Sequence, residues 1–348
     1  MKRAKPTLSQ QIQKTTKKPF VKKTALDGNT EIMVSTGSTL LDLAISGGRK
    51  KGGGLPGGIL IEIFGPSSTG KTVLLSEIAG AVQRLGGDTM FHDPEARLNK
   101  GFAKLFGFTL KKESYHQSDT VTEVFIKTRA WVPEEKGKIH AIFADSLAAL
   151  STNLEMDSKD GDKMGMRRAK EFSEELRKTA RILVKKNWLM VCSNQIRENA
   201  DAGGYGEKHS TPGGKAVGFY ASLRLRTKLI EKIKVTKTIS GKEVVRIIGV
   251  KIEIEVYKSS VDKPFRKAPL YILFDYGVDD IRANLQYLKD FKKTKTYAVG
   301  GVGVGVAMND AIRYVESKGL EDTLKQEVIE LWEEIEAKFV VERKIKQR

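Results

Sequence analysis

Gly65, Pro66, Ser67, Ser68, Thr69, Gly70, Lys71 and Thr72 satisfy the pattern G-x-x-x-x-G-K-[ST] without exception. Glycines at both ends of such a loop let the backbone fold closely around a phosphate chain, so that its N–H groups converge on the oxygens. A helix beginning behind the loop adds its positive N-terminal dipole. Lys71 is then placed to neutralise β- and γ-phosphates, and the Thr72 hydroxyl to ligate Mg²⁺. Binding and cleavage of a nucleoside triphosphate is the chemistry these residues can do.

Cleavage calls for carboxylates as well. One helps to hold the magnesium from the end of a neighbouring strand, and "IHAIFADS" supplies Asp145 there. Another must orient or deprotonate water. Glu95 in "MFHDPEARLN" is best placed for this, with Asp93 as its rival. His92 beside them has no partners at metal-ligand spacing and reads as structural.

The scaffold these residues need is visible in the hydrophobic pattern. The apolar run Ile59 to Phe64 precedes the loop and an apolar-periodic segment follows Lys71. Strands "GDTMFHD", "KIHAIFAD" and "NWLMVCSN" then alternate with helical stretches, one of them carrying Phe172, Leu176, Ala180 and Leu183 on one face. This alternation predicts an α/β fold with a mostly parallel sheet flanked by helices. Upstream, Ser38 can cap a helix bearing Leu40, Leu41 and Leu43 to Ile45. Residues 220–275 change character and predict an antiparallel extension with a hairpin turn at Ser240-Gly241. Beyond residue 288 lies a small α-rich unit with helices over 310–318 and around Leu324, Val328, Leu331, Ile335 and Phe339. Its Gly/Val run "VGGVGVGVAMND" lacks G-x-G-x-x-G and is expected to be a loop.

The formal charge of +18 over 348 residues points to a polyanionic partner, because clustered Lys and Arg release counterions from a phosphate backbone. Eight Lys or Arg and no acid occupy the first 23 residues, which read as a basic arm. No apolar run approaches the roughly 18 residues of a membrane span, so no membrane partner is expected. The single cysteine, Cys192, forms no internal disulfide and fits a buried strand residue in a reducing, cytoplasmic setting.

In this order the motifs resemble the bacterial RecA recombinase family. "VSTGSTLLDLAISGG", "FHDPEARLN", "AIFADSLAAL", "CSNQIR", "TPGGKAVGFYASLRLR" and "KPFRKAPLYILFDYGVD" carry the likeness from Val34 to Leu288. The resemblance implies a basic arm over 1–33 that contacts filament neighbours, a RecA-type ATPase and DNA-binding core over 34–288, and a small C-terminal domain over 289–348. It implies ATP and Mg²⁺ as cofactors, with Glu95 as catalytic glutamate and Gln195 as γ-phosphate sensor. Asn99 and Phe102 match contacts to adenine. Two DNA-binding loops match Glu155 to Gly165 and Arg197 to Gly214. Arg177, Arg197, Gly213, Gly214 and Lys215 fall at DNA-contacting positions, and Arg168, with Arg167 and Lys170, lies near another. Phe219 matches an interface aromatic and Lys258 a lysine that reaches the neighbour's γ-phosphate.

The implied function is a DNA-dependent ATPase that forms helical filaments on single-stranded DNA and pairs it with homologous duplex, aided by loading or mediator proteins. A mediator with little turnover, and a RecA-fold helicase or branch-migration motor, are the alternatives. The chain departs from the family pattern in three ways. Ser260 stands at the second lysine position, leaving Lys258 alone or helped by Lys263 or Arg266. The second DNA loop has no bulky aliphatic wedge, with Ala200 near its place and Tyr205 the one large apolar candidate. The C-terminus is basic ("VVERKIKQR") where many members are acidic. With the basic insertion Arg49 to Lys51, these mark a divergent, cellular or viral, member.

Overall fold

The computed structural model describes residues 29–98, 100–134, 139–152, 164–198, 209–210, 215–340 and 343. A short antiparallel pair, β1 (Asn29–Val34) and β2 (Leu55–Gly57), flanks helix α1 (Thr39–Ser46). Ser38 caps α1 as expected, its hydroxyl accepting from the Leu41 N–H at 3.4 Å. The main sheet begins with β3 (Leu60–Gly65), which runs through the glycine loop into α2 (Lys71–Arg84). Next come β4 (Thr89–His92), α3 (Lys100–Leu105), β5 (Tyr115–His116), α4 (Val121–Ala130), β6 (Ala141–Ala144), α5 (Met164–Lys186) and β7 (Leu189–Gln195). A two-residue ladder of β8 (Arg197–Glu198) and β9 (His209–Ser210) leads to α6 (Lys215–Tyr220). Then follow β10 (Leu223–Ile239), β11 (Lys242–Ser259), β12 (Lys267–Leu273) and β13 (Gly277–Val278).

These strands form one nine-stranded sheet in the order β13-β12-β11-β10-β3-β7-β6-β4-β5. Neighbours from β10 to β5 pair in parallel, and those from β10 to β13 antiparallel. The mixed α/β reading of the sequence is borne out. Helices cover both faces because the parallel strands are apolar on both sides. On β7, Leu189 and Val191 pack with Leu74, Leu75 and Ile78 of α2, while Met190 and Cys192 meet Phe172 and Leu176 of α5. Burial raises the Cys192 thiol well above its ordinary range, which makes it an inert core residue.

The expected turn at Ser240-Gly241 closes the β10–β11 hairpin, with φ of 50° and 75° at the two residues. Past Ile233 the hairpin runs on as a two-stranded ribbon with Ile239, Val245 and Ile247 exposed.

Helix α7 (Asp280–Lys292) runs through residue 288 and leads to the terminal unit. Here the Gly/Val run is not a loop. It folds as β14 (Tyr297–Val299) and β15 (Val302–Gly305), paired antiparallel. Gly300 and Gly301, at φ 60° and 77°, supply the left-handed pair that a two-residue hairpin turn requires. Helix α8 (Met308–Lys318) stops at left-handed Gly319 as expected. The last helix, α9 (Glu321–Ala337), ends before Phe339, which is 73% exposed and does not extend the helix's apolar face. Arg266 donates to Asp262 at 2.7 Å and to Glu336 of α9 at 2.5 Å, joining the sheet to the terminal unit. Among the described residues, no helix is long and apolar enough to cross a membrane.

Helix α2 packs closely enough on its surroundings to reverse a usual rule. Gly→Ala in a helix normally stabilises by about 1 kcal/mol. At Gly80, a Cβ would lie 2.3 Å from the Phe106 carbonyl oxygen, a backbone atom that cannot swing aside. Gly80→Ala is expected to destabilise the protein by roughly 1–2 kcal/mol in urea unfolding. A gain in stability would refute this close approach.

Candidate active site

The glycine loop sits where β3 ends, wedged between α2 and the strands beside it. A Cβ on Gly65 would lie 2.1 Å from Thr227 Oγ1 and 2.6 Å from the Thr227 carbonyl oxygen, so only glycine fits there. Gly70 is left-handed at φ 73° and caps α2. Thr69 is buried and hydrogen-bonds the Pro66 carbonyl at 2.8 Å and the Thr227 hydroxyl at 2.7 Å. The loop is thus tied down on both sides, and Ser67 to Thr72 line a cleft of about 590 Å³.

Four strand ends meet at this cleft. Lys71 donates to the Gly65 carbonyl at 3.0 Å and to the Pro66 carbonyl at 2.6 Å. Burial holds its ammonium below the ordinary lysine range, while Asp145 and Glu95 act the other way. The Thr72 hydroxyl donates to Asp145 Oδ2 at 2.5 Å, and the Ser193 hydroxyl to Asp145 Oδ1. Gln195 pairs opposite Gly65 in the β3–β7 ladder and lines the same cleft. Glu95 also lines it, with the Ser146 hydroxyl 3.4 Å from Oε1 and Arg97 2.5 Å from Oε2. Asp93 is otherwise engaged: it is buried and accepts from the Leu98 N–H at 2.7 Å and the Tyr115 hydroxyl at 2.9 Å. Of the two, Glu95 lines the cleft and Asp93 does not.

Thr72 and Asp145 suit a hard divalent cation. A hydroxyl and a carboxylate side by side match the few protein oxygens Mg²⁺ takes when substrate phosphates complete its shell. No group of three or more His, Cys, Asp or Glu capable of holding a metal by itself occurs among the described residues. His92 fits its structural reading, with Nδ1 3.0 Å from the Ser118 hydroxyl and its pKa pushed down to about 3 by burial, then by His116 and Lys127.

A second, apolar cleft of about 620 Å³ adjoins the loop at Ser68 and Gly70. Phe102 lines both clefts, facing Ile272, Leu273, Phe274 and Asp275 in the second. These last four lie in the quoted segment "YILFDYGVD" but were not singled out as site residues. Their signal is nonlocal, because β12 reaches the loop only through the sheet.

Phe219 and Lys258 line a different cleft, away from the phosphate loop. Phe219 is 74% exposed on α6, which suits a contact with another chain. Lys258 donates to the Gly218 and Phe219 carbonyls at 2.8 and 3.0 Å. Its ammonium is held below its usual range by burial and then by Arg224, with Glu62 opposing. Arg266, considered as a helper for Lys258, is committed to Asp262 and Glu336 and stacks over Trp332 at 4.9 Å. Lys263 is 63% exposed and lies 3.9 Å from Glu336.

Of the residues assigned to DNA, Arg177 is exposed on α5. The Arg168 guanidinium instead points inward, donating to the Leu147 and Ala148 carbonyls at 3.1 and 2.9 Å. Arg197 and Lys215 are placed by backbone alone, in β8 and α6. Asn99, Gly213, Gly214, Ala200 and Tyr205 lie outside the described residues, as does most of both predicted DNA loops.

The chain matches the RecA N-terminal domain over residues 3–279. It is 34% identical over 306 residues to Protein RecA of Borrelia hermsii (strain HS1 / DAH), covering 85% of this chain and 80% of that protein. Protein RecA of Borreliella afzelii (strain PKo) is 35% identical over 294 residues, covering 83% and 77% respectively. Protein RecA of Delftia acidovorans (strain DSM 14801 / SPH-1) is 33% identical over 303 residues, covering 85% and 78%. These likenesses span the loop, both carboxylate strands and the sensor strand alike, and the chain belongs to the RecA family.

Proposed function

We propose that this recombinase hydrolyses ATP when it is assembled on single-stranded DNA, and uses that cycle to exchange strands with homologous duplex. One observation carries the reading: Lys71, the Thr72–Asp145 pair, Glu95 and the end of β7 converge on a single cleft beside an apolar one. A chain that bound nucleotide without turnover would not need Glu95 there, and that weighs against the mediator.

The phosphates of ATP enter the loop Gly65–Thr72, where fixed N–H groups and the α2 N-terminus attract negative charge. Lys71 exchanges two backbone carbonyls for phosphate oxygens. Thr72 and Asp145 would hold Mg²⁺, which would offset charge on the phosphates. Phe102, Ile272 and Phe274 offer the base an apolar, partly aromatic cleft. Glu95 orients the attacking water and takes its proton. Gln195, at the mouth of β7, passes the state of the γ-phosphate to the segment that follows it. Arg177, Arg197 and Lys215, with the backbone of Gly213 and Gly214, face DNA, and their affinity falls as salt rises.

Phe219 and Lys258 act in the neighbouring subunit's site. Their distance from their own phosphate loop makes sense in a heterologous interface, which repeats into a filament because it does not close. Lys258 then serves alone or with Lys263, as Ser260 carries no charge and Arg266 is bound elsewhere.

Glu95→Gln should retain binding of an ATP analogue while DNA-stimulated turnover falls by about 10²–10⁴-fold. Tight DNA binding without any stimulation of the unaltered chain would sink turnover as the working cycle. Lys258→Ala should lower stimulated turnover by about tenfold or more. Mixing the Lys258→Ala and Glu95→Gln chains tests the trans role directly. Mixed filaments should hydrolyse faster than the two chains measured apart, and strictly additive rates would place Lys258 outside the neighbour's site.

A further inference from the structure

Arg97 has no part in the scheme above, yet it lines the phosphate cleft. Its Nη2 lies 2.5 Å from Glu95 Oε2. The contact is an ion pair without hydrogen-bond alignment, since Oε2 is buried and no donor among the described residues is oriented onto it. The two residues differ in freedom. Their segment is pinned by the turn from the Ala96 N–H to the Asp93 carbonyl at 3.1 Å and by the bonds Asp93 makes to Leu98 and Tyr115. Ala96 between them is left-handed at φ 51°. The Glu95 side chain is 20% exposed, that of Arg97 70%. A long cation is therefore hinged over the cleft, held by one poorly aligned contact that solvent screens.

We propose that Arg97 serves two anions in turn: Glu95, with which it is paired in the structure, and the phosphates of a bound triphosphate. The proposal rests on the reading of this cleft as an ATPase site. Phosphate oxygens offer the guanidinium bidentate, charge-assisted hydrogen bonds and more negative charge than one carboxylate. Transfer of the guanidinium releases Glu95 to receive the water proton at the moment the substrate arrives. The nucleotide thereby arms its own base. The other charged groups facing Glu95 are Lys71 of α2 and Asp145 after β6, and both are present alike in the wild type and in Arg97→Gln.

The test uses the full chain with Arg97→Gln, Arg97→Lys and Glu95→Gln. Equilibrium binding of a non-hydrolysable ATP analogue should weaken about tenfold in Arg97→Gln, binding of ADP by less than about threefold, and Arg97→Lys should restore most of the loss. A purely structural arginine would weaken both nucleotides equally. Wild-type triphosphate affinity in Arg97→Gln, or an equal loss for ADP, overturns the proposal. An inactive Glu95→Gln beside an Arg97→Gln that matches wild type sinks the Arg97 role alone. No ATP turnover by the unaltered chain sinks the ATPase reading, and the binding comparison then decides whether Arg97 meets phosphate.

Discussion

The site depends on one constraint, the register of the parallel ladders. Gly65 pairs with Gln195, Ala144 with Cys192 and His92 with Ala144, so β3, β7, β6 and β4 end at one edge of the sheet. Parallel strands put all their carboxyl ends on that edge, and the residues just beyond them have nowhere to go but a shared crevice. Lys71, Asp145, Glu95 and Gln195 come from four separate stretches of chain and meet because of it. A slip of one residue in any ladder would turn the terminal side chain to the opposite face.

Beneath the cleft the sheet holds a charge it can keep only if paired. Glu62 of β3 is fully buried, accepting from Arg224 Nε at 2.6 Å and from Asn194 Nδ2 at 2.9 Å. Breaking such a pair from one side costs about 3–5 kcal/mol, since the remaining ion has no water. Arg224 stacks over Phe64 at 4.5 Å and lies against α6, where a Cβ on Gly218 would approach its Nη1 to 3.1 Å. Asn194 in turn accepts from the Gln195 N–H at 3.0 Å. Gln195 and the helix bearing Phe219 are therefore anchored to opposite sides of one buried carboxylate. That pairing keeps the phosphate cleft and the exposed Phe219 in a fixed relation.

How far the sequence reached follows from how local each signal is. The phosphate loop is a contiguous pattern whose φ and space requirements fall on its own glycines, and it was legible in full. Asp145 and Glu95 were legible by one further rule, that polar residues ending apolar strands of a parallel sheet converge. The choice between Glu95 and Asp93 required the Tyr115 and Leu98 bonds, which no spacing reveals. Phe274 and Ile272 reach the loop through strand pairing across more than 200 positions of chain, so their place in the apolar cleft was invisible. Arg97 stood in a quoted motif, but one arginine beside a glutamate ordinarily marks a solvated surface. The Gly/Val run misled because alternating small and branched residues suit a loop as well as a ribbon. Only the Gly300-Gly301 pair pointed to the hairpin.

The polar groups of the cleft already hold one another. Lys71 is on two carbonyls, Thr72 and Ser193 are on Asp145, and Glu95 is beneath Arg97. Binding a triphosphate is thus an exchange of partners, and its net gain is the difference between two sets of charge-assisted bonds. Such a site gains little from ligands that replace only some of those partners. A diphosphate can satisfy the loop and Lys71 yet leave Glu95 engaged, whereas a third phosphate brings the charge needed to draw Arg97 away. Discrimination between ATP and ADP can then arise within one chain, without a contribution from any neighbour. For a family member with serine at position 260, a cis cation that responds to the triphosphate would offset part of the charge that position does not provide.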